Sequence, residues 1–306
     1  MLKLGELVEA TGGSLLRGDP SAVLGAFEID SRKLRAGGVF VALRGTQRDG
    51  HEFLAEAARA GAAAALIGRE LQTDELAPPS LVRVEDTAAA LARSAGWMRR
   101  KLSAVRWIAL TGSNGKTTTK ELLAAGLSAT RRVHRTAGNL NNQLGVPLTL
   151  LACPADAEVA VIELAMSAPG EIAELTRLVD PDVGLVTNVR AVHLQFFSSL
   201  DDIAAAKGEL FALLRREATA VVNLDDPHVR VQAARHEGRR VTFGQHVSAD
   251  VRLEDVENRF LPGAALTYRY RDTSRRLQLR LGGGHAALDA LAALAAVAAA
   301  GEDPHA

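Results

Sequence analysis

The run Thr111–Thr118, TGSNGKTT, sets Gly112 and Gly115 around Ser113 and Asn114 and follows them with Lys116, Thr117 and Thr118. Two glycines let a backbone bend until successive N–H groups face one point. A lysine beside them adds a full positive charge, and a threonine hydroxyl adds a ligand for a hard cation. The run follows the apolar Trp107–Leu110 and opens a helical pattern at Lys116. Strand, glycine turn and helix together are what an ATP phosphate loop requires, the anion resting on the positive end of the helix. Here Thr111 through Thr118 would hold the nucleotide, Lys116 would offset β/γ-phosphate charge and Thr117 would ligate Mg²⁺. The spacing is G-x-x-G-K-T, shorter than the Walker pattern between its first glycine and the lysine. The plainer alternative is a glycine turn with an incidental Lys-Thr.

Other polar residues stand where chemistry is feasible. Glu163 ends the apolar VAVIEL, and a carboxylate at the carboxyl end of a parallel strand faces the ligand crevice, where it can hold Mg²⁺. His193 follows TNV in a loop, and Lys207 lies in the helical DIAAAKGELF. Taken alone, each reads first as structural or solvated. Asp225 and Asp226 follow AVVNL and are read equally as ribose ligands or as Asp-Asp-Pro turn chemistry. Asn139, Asn141 and Asn142, in TAGNLNNQLGVP, make a polar loop able to bond a sugar, a phosphate or itself.

The elements that must position these residues fall into two expected domains, 1–102 and 103–306. In the first, LGELVEATGG is a short glycine-closed helix, Phe27–Asp30 is extended, Arg35–Gly38 is a turn and Val39–Leu43 is apolar. Glu52–Ala60 is helical, Ala63–Ile67 is a strand and Thr87–Lys101 is an amphipathic helix, which together make a small α/β domain. The second carries the short apolar runs Trp107–Leu110, Val159–Leu164, Val183–Val186, Ala220–Asn223 and Val241–Phe243, separated by helices or turns. That pattern predicts a mostly parallel sheet covered on both faces. After Asp250 the alternating VRLEDVENRFLPGAALTYRY and RRLQLRL predict an antiparallel addition, and Ala286–Ala300 predicts an alanine-rich helix capped by Gly301.

Composition excludes several classes. Of 306 residues, 47% are hydrophobic and 24% charged, which is enough apolar surface for packed cores. Lys plus Arg and Asp plus Glu are 36 each, so no overall field draws the chain to nucleic acid or to a membrane surface. The single cysteine, Cys153, makes no internal disulfide and points to a reducing compartment. MLKLGELVEA lacks the apolar core of a signal peptide, and Ala286–Gly301 is too short and too weakly apolar to span a bilayer. A soluble, cytoplasmic protein is expected.

The motifs taken in order resemble those of the Mur ligase family. They are DSRK at 30–33, GGVFVALRG at 37–45, DGH at 49–51, TGSNGKTTTKE at 111–121, TAGNLNNQLGVPLTLL at 136–151, VIEL with PGEIAEL within 161–175, TNV and HL within 187–194, AKGELF at 206–211 and NLDDP at 223–227. Within the family, TAGNLNNQLGVPLTLL and AKGE resemble the members that ligate D-alanyl-D-alanine to UDP-MurNAc-tripeptide. The resemblance implies an N-terminal UDP-sugar-binding domain, a central ATP-binding domain and two Mg²⁺ ions. It implies Glu163 and His193 as metal ligands, and Lys207, carbamylated, as an anionic ligand of the second Mg²⁺, with Lys116, Lys207 and His193 catalytic. It further implies Ser31, Arg32, Asp49 and His51 on the UDP-sugar, Asn139, Asn141 and Asn142 between nucleotide and sugar, and His285 near the adenine. The implied reaction phosphorylates the tripeptide carboxylate with ATP, after which the dipeptide amine displaces phosphate. The implied partners are those two small-molecule substrates, with no nucleic acid, no membrane insertion and a monomeric state.

The sequence departs from the family pattern in two places. Ala286 and Asp289 stand where the family has asparagines near the adenine, and nothing corresponds to the third, Rossmann-like domain. GEDPHA reads as the start of an interdomain linker, so the expectation is a truncated chain with weak nucleotide binding and little turnover of its own. The competing readings are a non-catalytic nucleotide- or UDP-sugar-binding protein and another Mur-type amide ligase.

Overall fold

The computed structural model describes residues 2–45, 48–72, 75–191, 197–259, 263–281 and 284–306. The chain forms two compact units, one of residues 1–103 with 143–155, the other of residues 104–142 with 156–306. The second segment of the first unit differs from the single expected cut between 102 and 103. Its reason is the helix Gly145–Leu151, of which six residues are buried. Leu148 is in the first unit's core, with Leu144 and Leu151 packed against it, beside Leu91 and Met98 of the helix Thr87–Lys101.

The first unit is built on a sheet ordered Ser14–Arg17, Ser80–Arg83, Ala64–Ile67, Val39–Val41 and Phe27–Glu28. The last four are parallel, and Ser14–Arg17 joins antiparallel at the edge. Val39–Val41 and Ala64–Ile67 are buried at every position, as strands covered on both faces must be. The helix Leu4–Thr11 ends at Gly12 in the left-handed conformation, as its sequence predicts, and Thr87–Lys101 is capped by the Asp86 carboxylate on the Ala88 and Ala89 amides. The strand Ser80–Arg83 was not in the sequence reading.

The second unit carries a nine-stranded sheet ordered Thr273–Gln278, Gly263–Tyr270, Val251–Arg259, Arg239–Gly244, Thr219–Asn223, Val183–Val186, Arg106–Thr111, Val159–Glu163 and Val133–Arg135. The seven strands from Val251–Arg259 to Val133–Arg135 pair in parallel, and the hairpin strands complete the sheet antiparallel. All five apolar runs expected as strands are strands, and the antiparallel addition after Asp250 continues the same sheet. The parallel α/β class read from the sequence is thus observed.

Arg106–Thr111 lies between Val159–Glu163 on one side and Val183–Val186 on the other. The chain visits the first side before the second, so strand order reverses around it. A reversal of that kind opens a crevice at the carboxyl ends of the strands. Above the sheet, the alanine-rich helix Gly284–Ala299 packs on Lys116–Leu127, its small side chains allowing close approach and Ala287, Leu291, Ala295 and Ala296 fully buried. Among the described residues, no helix is long and apolar enough to cross a membrane.

Candidate functional site

The phosphate loop lies at the crevice, between the strand Arg106–Thr111 and the helix Lys116–Leu127. Both of its glycines are required by space and backbone. Gly112 has φ +154°, and a Cβ there would overlap the Thr187 hydroxyl; Gly115 has φ +79°, and a Cβ there would overlap the Asp289 carboxylate. The loop's amides divide into two sets. Ser113 N–H donates to the Asn188 carbonyl at 3.0 Å and Asn114 N–H to Asn188 Oδ1 at 3.0 Å, so these two amides anchor the loop. The helix start leaves the N–H groups of Lys116, Thr117 and Thr118 without helical acceptors, and they form the cradle for an anion.

Three lysines gather around this turn. Lys116 Nζ donates to the Gly112 carbonyl at 2.8 Å and to the Ser113 carbonyl at 3.3 Å. Burial lowers its pKa, opposed by the Glu163 carboxylate. Lys120, one helical turn on and fully buried, donates to the Gly138 carbonyl at 3.0 Å and lies 3.6 Å from Glu163 Oε2 and 3.2 Å from Glu121. Lys207 comes from the helix Leu200–Leu213 and is 3% exposed. Burial first, and the Lys116 ammonium second, bring its pKa down to about 7. Among the described residues its amine has neither a hydrogen bond nor an ion pair.

Against these stands Glu163, 1% exposed at the end of its strand. Its backbone N–H is held by Thr136 Oγ1 at 3.0 Å. Its carboxylate accepts from Asn141 Nδ2 at 2.8 Å and from Thr117 Oγ1 at 3.1 and 3.3 Å. A buried carboxylate and a hydroxyl converging from two elements are the donor set of one hard divalent cation whose other ligands are phosphate oxygens and water. The residues present fit one Mg²⁺ there. Of the loop asparagines, Asn141 thus reaches the carboxylate, while Asn139 and Asn142 are exposed. His193 lies outside the described residues.

Beside the loop is a cavity of about 310 Å³ bounded by Asn114, Gly115, Thr187, Asn188, His285 and Asp289, among others. His285 is therefore on the same cavity as the phosphate loop. Asp289 is held over Gly115, where burial raises its pKa to about 6 against the opposing influence of His285. Ala286 is buried in the helix packing. Asp225 is spent on a turn, accepting from the Gln245 and His246 amides. Asp226 caps the helix Pro227–Ala233 from a buried position.

In the first unit, Ser31, Asp49 and His51 follow the carboxyl ends of parallel strands. Ser31 is buried at the start of a 3₁₀ turn capped by Asp30, and Arg32 projects into solvent, paired with Asp30 at 2.8 Å. That pairing brings the Asp30 carboxyl down to about 2. His51 is buried with both ring nitrogens engaged: Nε2 accepts from the Gly68 amide at 2.8 Å, so Nδ1 carries the proton and donates to Asp49 at 2.5 Å. His51 thereby ties the loop after one strand to the loop after the next. Around it, Leu43, Arg44, Gly45, Gly68 and Thr87 border a cavity of about 400 Å³ within this unit.

Lys120 and the segment Thr187–Arg190 are the site residues that sequence reasoning did not single out. Lys120 carries a readable signal, its i+4 spacing from Lys116 on one helix face. Thr187–Val189 falls in the TNV motif, but its contacts with the loop are made across the sheet and cannot be read from it.

Both units resemble known proteins. The model of the Mur ligase middle domain matches residues 110–297, and that described as Mur ligase family, catalytic domain, matches residues 26–96. The UDP-N-acetylmuramoyl-tripeptide–D-alanyl-D-alanine ligase of Escherichia coli (strain K12) is 43% identical over 73% of this chain and 48% of its own length. That of Bacillus subtilis (strain 168) is 36% identical over 92% of this chain and 60% of its own. Among solved structures, MurF from Acinetobacter baumannii superimposes with a TM-score of 0.88 at 31% identity, over 99% of this chain and 66% of that one. MurF from Thermotoga maritima in complex with ADP gives 0.78 at 33% identity, over 90% and 63%. The chain spans about half to three fifths of the length of the curated relatives it matches.

Proposed function

The chain belongs to the Mur ligase family, and from that premise we propose that it forms the UDP-sugar- and ATP-binding portion of a cytoplasmic ligase that joins D-alanyl-D-alanine to UDP-N-acetylmuramoyl-tripeptide. The relatives that carry this name support the choice of substrates. The observation that carries the site is the positive charge gathered at the loop: Lys116, half-buried, and Lys207, buried and without an ion pair among the described residues, beside a buried Lys120 that Glu163 and Glu121 already pair. A protein keeps unpaired, desolvated ammonium groups where a ligand supplies the missing anion.

In the proposed reaction the terminal carboxylate of the tripeptide attacks the γ-phosphorus of ATP and ADP leaves. The amine of D-alanyl-D-alanine then attacks the acyl phosphate, loses a proton and expels phosphate. The Lys116, Thr117 and Thr118 amides and the Lys116 ammonium orient the triphosphate and offset the charge spread over the transferring group. Glu163 and Thr117 would hold Mg²⁺, which when bound supplies Lewis-acid charge to the same phosphates. Lys207, with an amine pKa of about 7, has the neutral form that carbamylation requires, and it is proposed as the carbamylated ligand of a second Mg²⁺ with His193. In the first unit, Ser31, Arg32 and the cavity steadied by Asp49 and His51 are proposed to receive the UDP-sugar.

The protein carrying this chain is expected to release phosphate only with ATP, UDP-N-acetylmuramoyl-tripeptide and D-alanyl-D-alanine together. Equal release with a single amino acid in place of the dipeptide would reject these substrates. A Lys207→Ala variant is expected to lose turnover and to regain part of it with a short added carboxylate; full turnover without rescue would remove Lys207 from the site.

A further inference from the structure

Asp226 is a carboxylate with 1% exposure that the proposed chemistry does not use. Oδ1 accepts from the amides of His228 at 3.0 Å and Val229 at 3.1 Å, the ordinary work of a helix cap. Oδ2 faces the other way and accepts from the Val189 amide at 2.9 Å and from Arg190 Nη1 at 2.8 Å. Those two residues end a segment that holds the phosphate loop. Thr187 Oγ1 donates to the Asn114 carbonyl at 2.7 Å, and Asn188 Nδ2 donates to it at 3.0 Å. Asn188 also accepts the Ser113 and Asn114 amides. The Arg190 amide donates to Ser113 Oγ at 2.8 Å, and Ser113 Oγ donates to the Arg190 carbonyl at 3.1 Å.

We infer that Asp226 is a positioning residue for the phosphate loop: its outward carboxylate oxygen fixes Val189 and Arg190, and these fix Ser113 and Asn114, so that the three free amides of the next turn keep the spacing a triphosphate needs. The inference rests on the ATP-binding reading above. Its physical basis is that one buried oxygen with two donors, one of them a guanidinium, holds a backbone far more firmly than a solvated turn does. A phosphate cradle works only when its amides are aligned before the ligand arrives.

The lesion that isolates this role is Asp226→Asn. The amide oxygen can still cap His228 and Val229, but the NH₂ then faces two donors, so the loop-side bonds are lost and the cap is kept. Asp226→Ser keeps a good cap and cannot reach Val189 or Arg190. The reference is Asp182→Asn, at the opposite edge of the same sheet, where Asp182 accepts from the Trp107 amide at 2.8 Å and from Arg215 at 2.8 Å.

Two measurements on the 306-residue chain decide it. Amide hydrogen exchange is expected to show Ser113 and Asn114 losing at least about tenfold protection in both Asp226 variants and none beyond the global change in Asp182→Asn. Calorimetric titration with MgATP is expected to show a loss of at least about fivefold in affinity for the Asp226 variants and less than about twofold for Asp182→Asn. Unchanged protection at Ser113 and Asn114 in a folded Asp226 variant overturns the inference. If both Asp226 variants fail to fold, Arg190→Gln, a change at a side chain 58% exposed, gives the same exchange readout. Unchanged protection there likewise overturns it. Absence of MgATP binding by the unaltered chain instead rejects the ATP reading, and the exchange result still decides the role of Asp226.

Discussion

The two edges of the central sheet use the same kinds of residue to opposite ends. At the amino edge, Arg215 bridges Asp180 and Asp182 at 2.8 Å each, with all three side chains partly in water. Asp182 in turn holds the Trp107 amide of the neighbouring strand. Each of these three charges has its partner, and an exposed pair of this sort contributes roughly 0–1 kcal/mol. At the carboxyl edge, Lys120 is buried and paired with Glu163 and Glu121, whereas Lys207 is buried and Lys116 half-buried, and Lys207 has no ion pair among the described residues. The difference teaches that charge alone does not mark the site. Charge that is buried and left without a counterion does, because it costs stability until a ligand binds.

The largest effect is expected at Glu163. Replacing it with alanine leaves Lys120 with only the half-exposed Glu121 as its ion-pair partner and Asn141 and Thr117 without their acceptor, a loss of about 3 kcal/mol, the low end of the cost of breaking a buried pair. Urea denaturation of Glu163→Ala measures this, and a loss below that of Arg215→Ala would break the contrast between the edges.

Lys116→Ala comes next and tests the other half of the contrast. Affinity for MgATP should fall about 100-fold, the size of losing a charged hydrogen bond of about 3 kcal/mol to phosphate. The melting temperature should hold or rise, because a desolvated ammonium has been removed. Arg215→Ala should do the reverse, leaving affinity untouched and lowering stability by about 1 kcal/mol. A Lys116→Ala chain that lost stability and kept its affinity would assign this lysine to the scaffold.

Much of this was legible in the sequence where the signal is local. Val183–Val186 and Thr87–Lys101 fall where the apolar run of the one and the amphipathic pattern of the other put them, and Gly112 and Gly115 have the backbone that their place in the loop demanded. What was not legible is set by distant contacts. Val133–Arg135 reads VHR, a polar edge strand with one neighbour, so it lacks the apolar run that marks a strand buried on both faces. Gly145–Leu151 is apolar enough for either unit, and only packing assigns it to the first. Asp225 and Asp226 were indistinguishable as letters, but one lies exposed on a turn and the other is buried between a helix and the phosphate-loop support. His51 carried a binding motif, and no spacing could show that both its ring nitrogens are taken up by Asp49 and Gly68.

The smallest effect sharpens the comparison most, because it turns on one proton. Asp289 sits over Gly115 with its carboxyl pKa raised from 3.8 to about 6, chiefly by burial. The unfolded chain ionises this group near pH 4 and the folded chain not until about pH 6, so its contribution to stability is complete below pH 4 and is lost as pH rises through 6. Asp289→Asn has no such proton to lose. It should match the parent at pH 4 and exceed it at pH 8 by on the order of 1 kcal/mol, solvent at the half-buried carboxyl screening the rest. MgATP should also bind the variant more tightly above pH 6, since a negative charge has left the rim of an anion site. Asp182→Asn should lose stability at every one of these pH values, because its carboxylate holds a strand amide and a guanidinium. Removing a carboxylate would then stabilise one edge of the sheet and weaken the other. Urea midpoints at pH 4, 6 and 8 measure both, and an Asp289→Asn curve parallel to the parent's would show that this carboxyl is solvated like those at the amino edge.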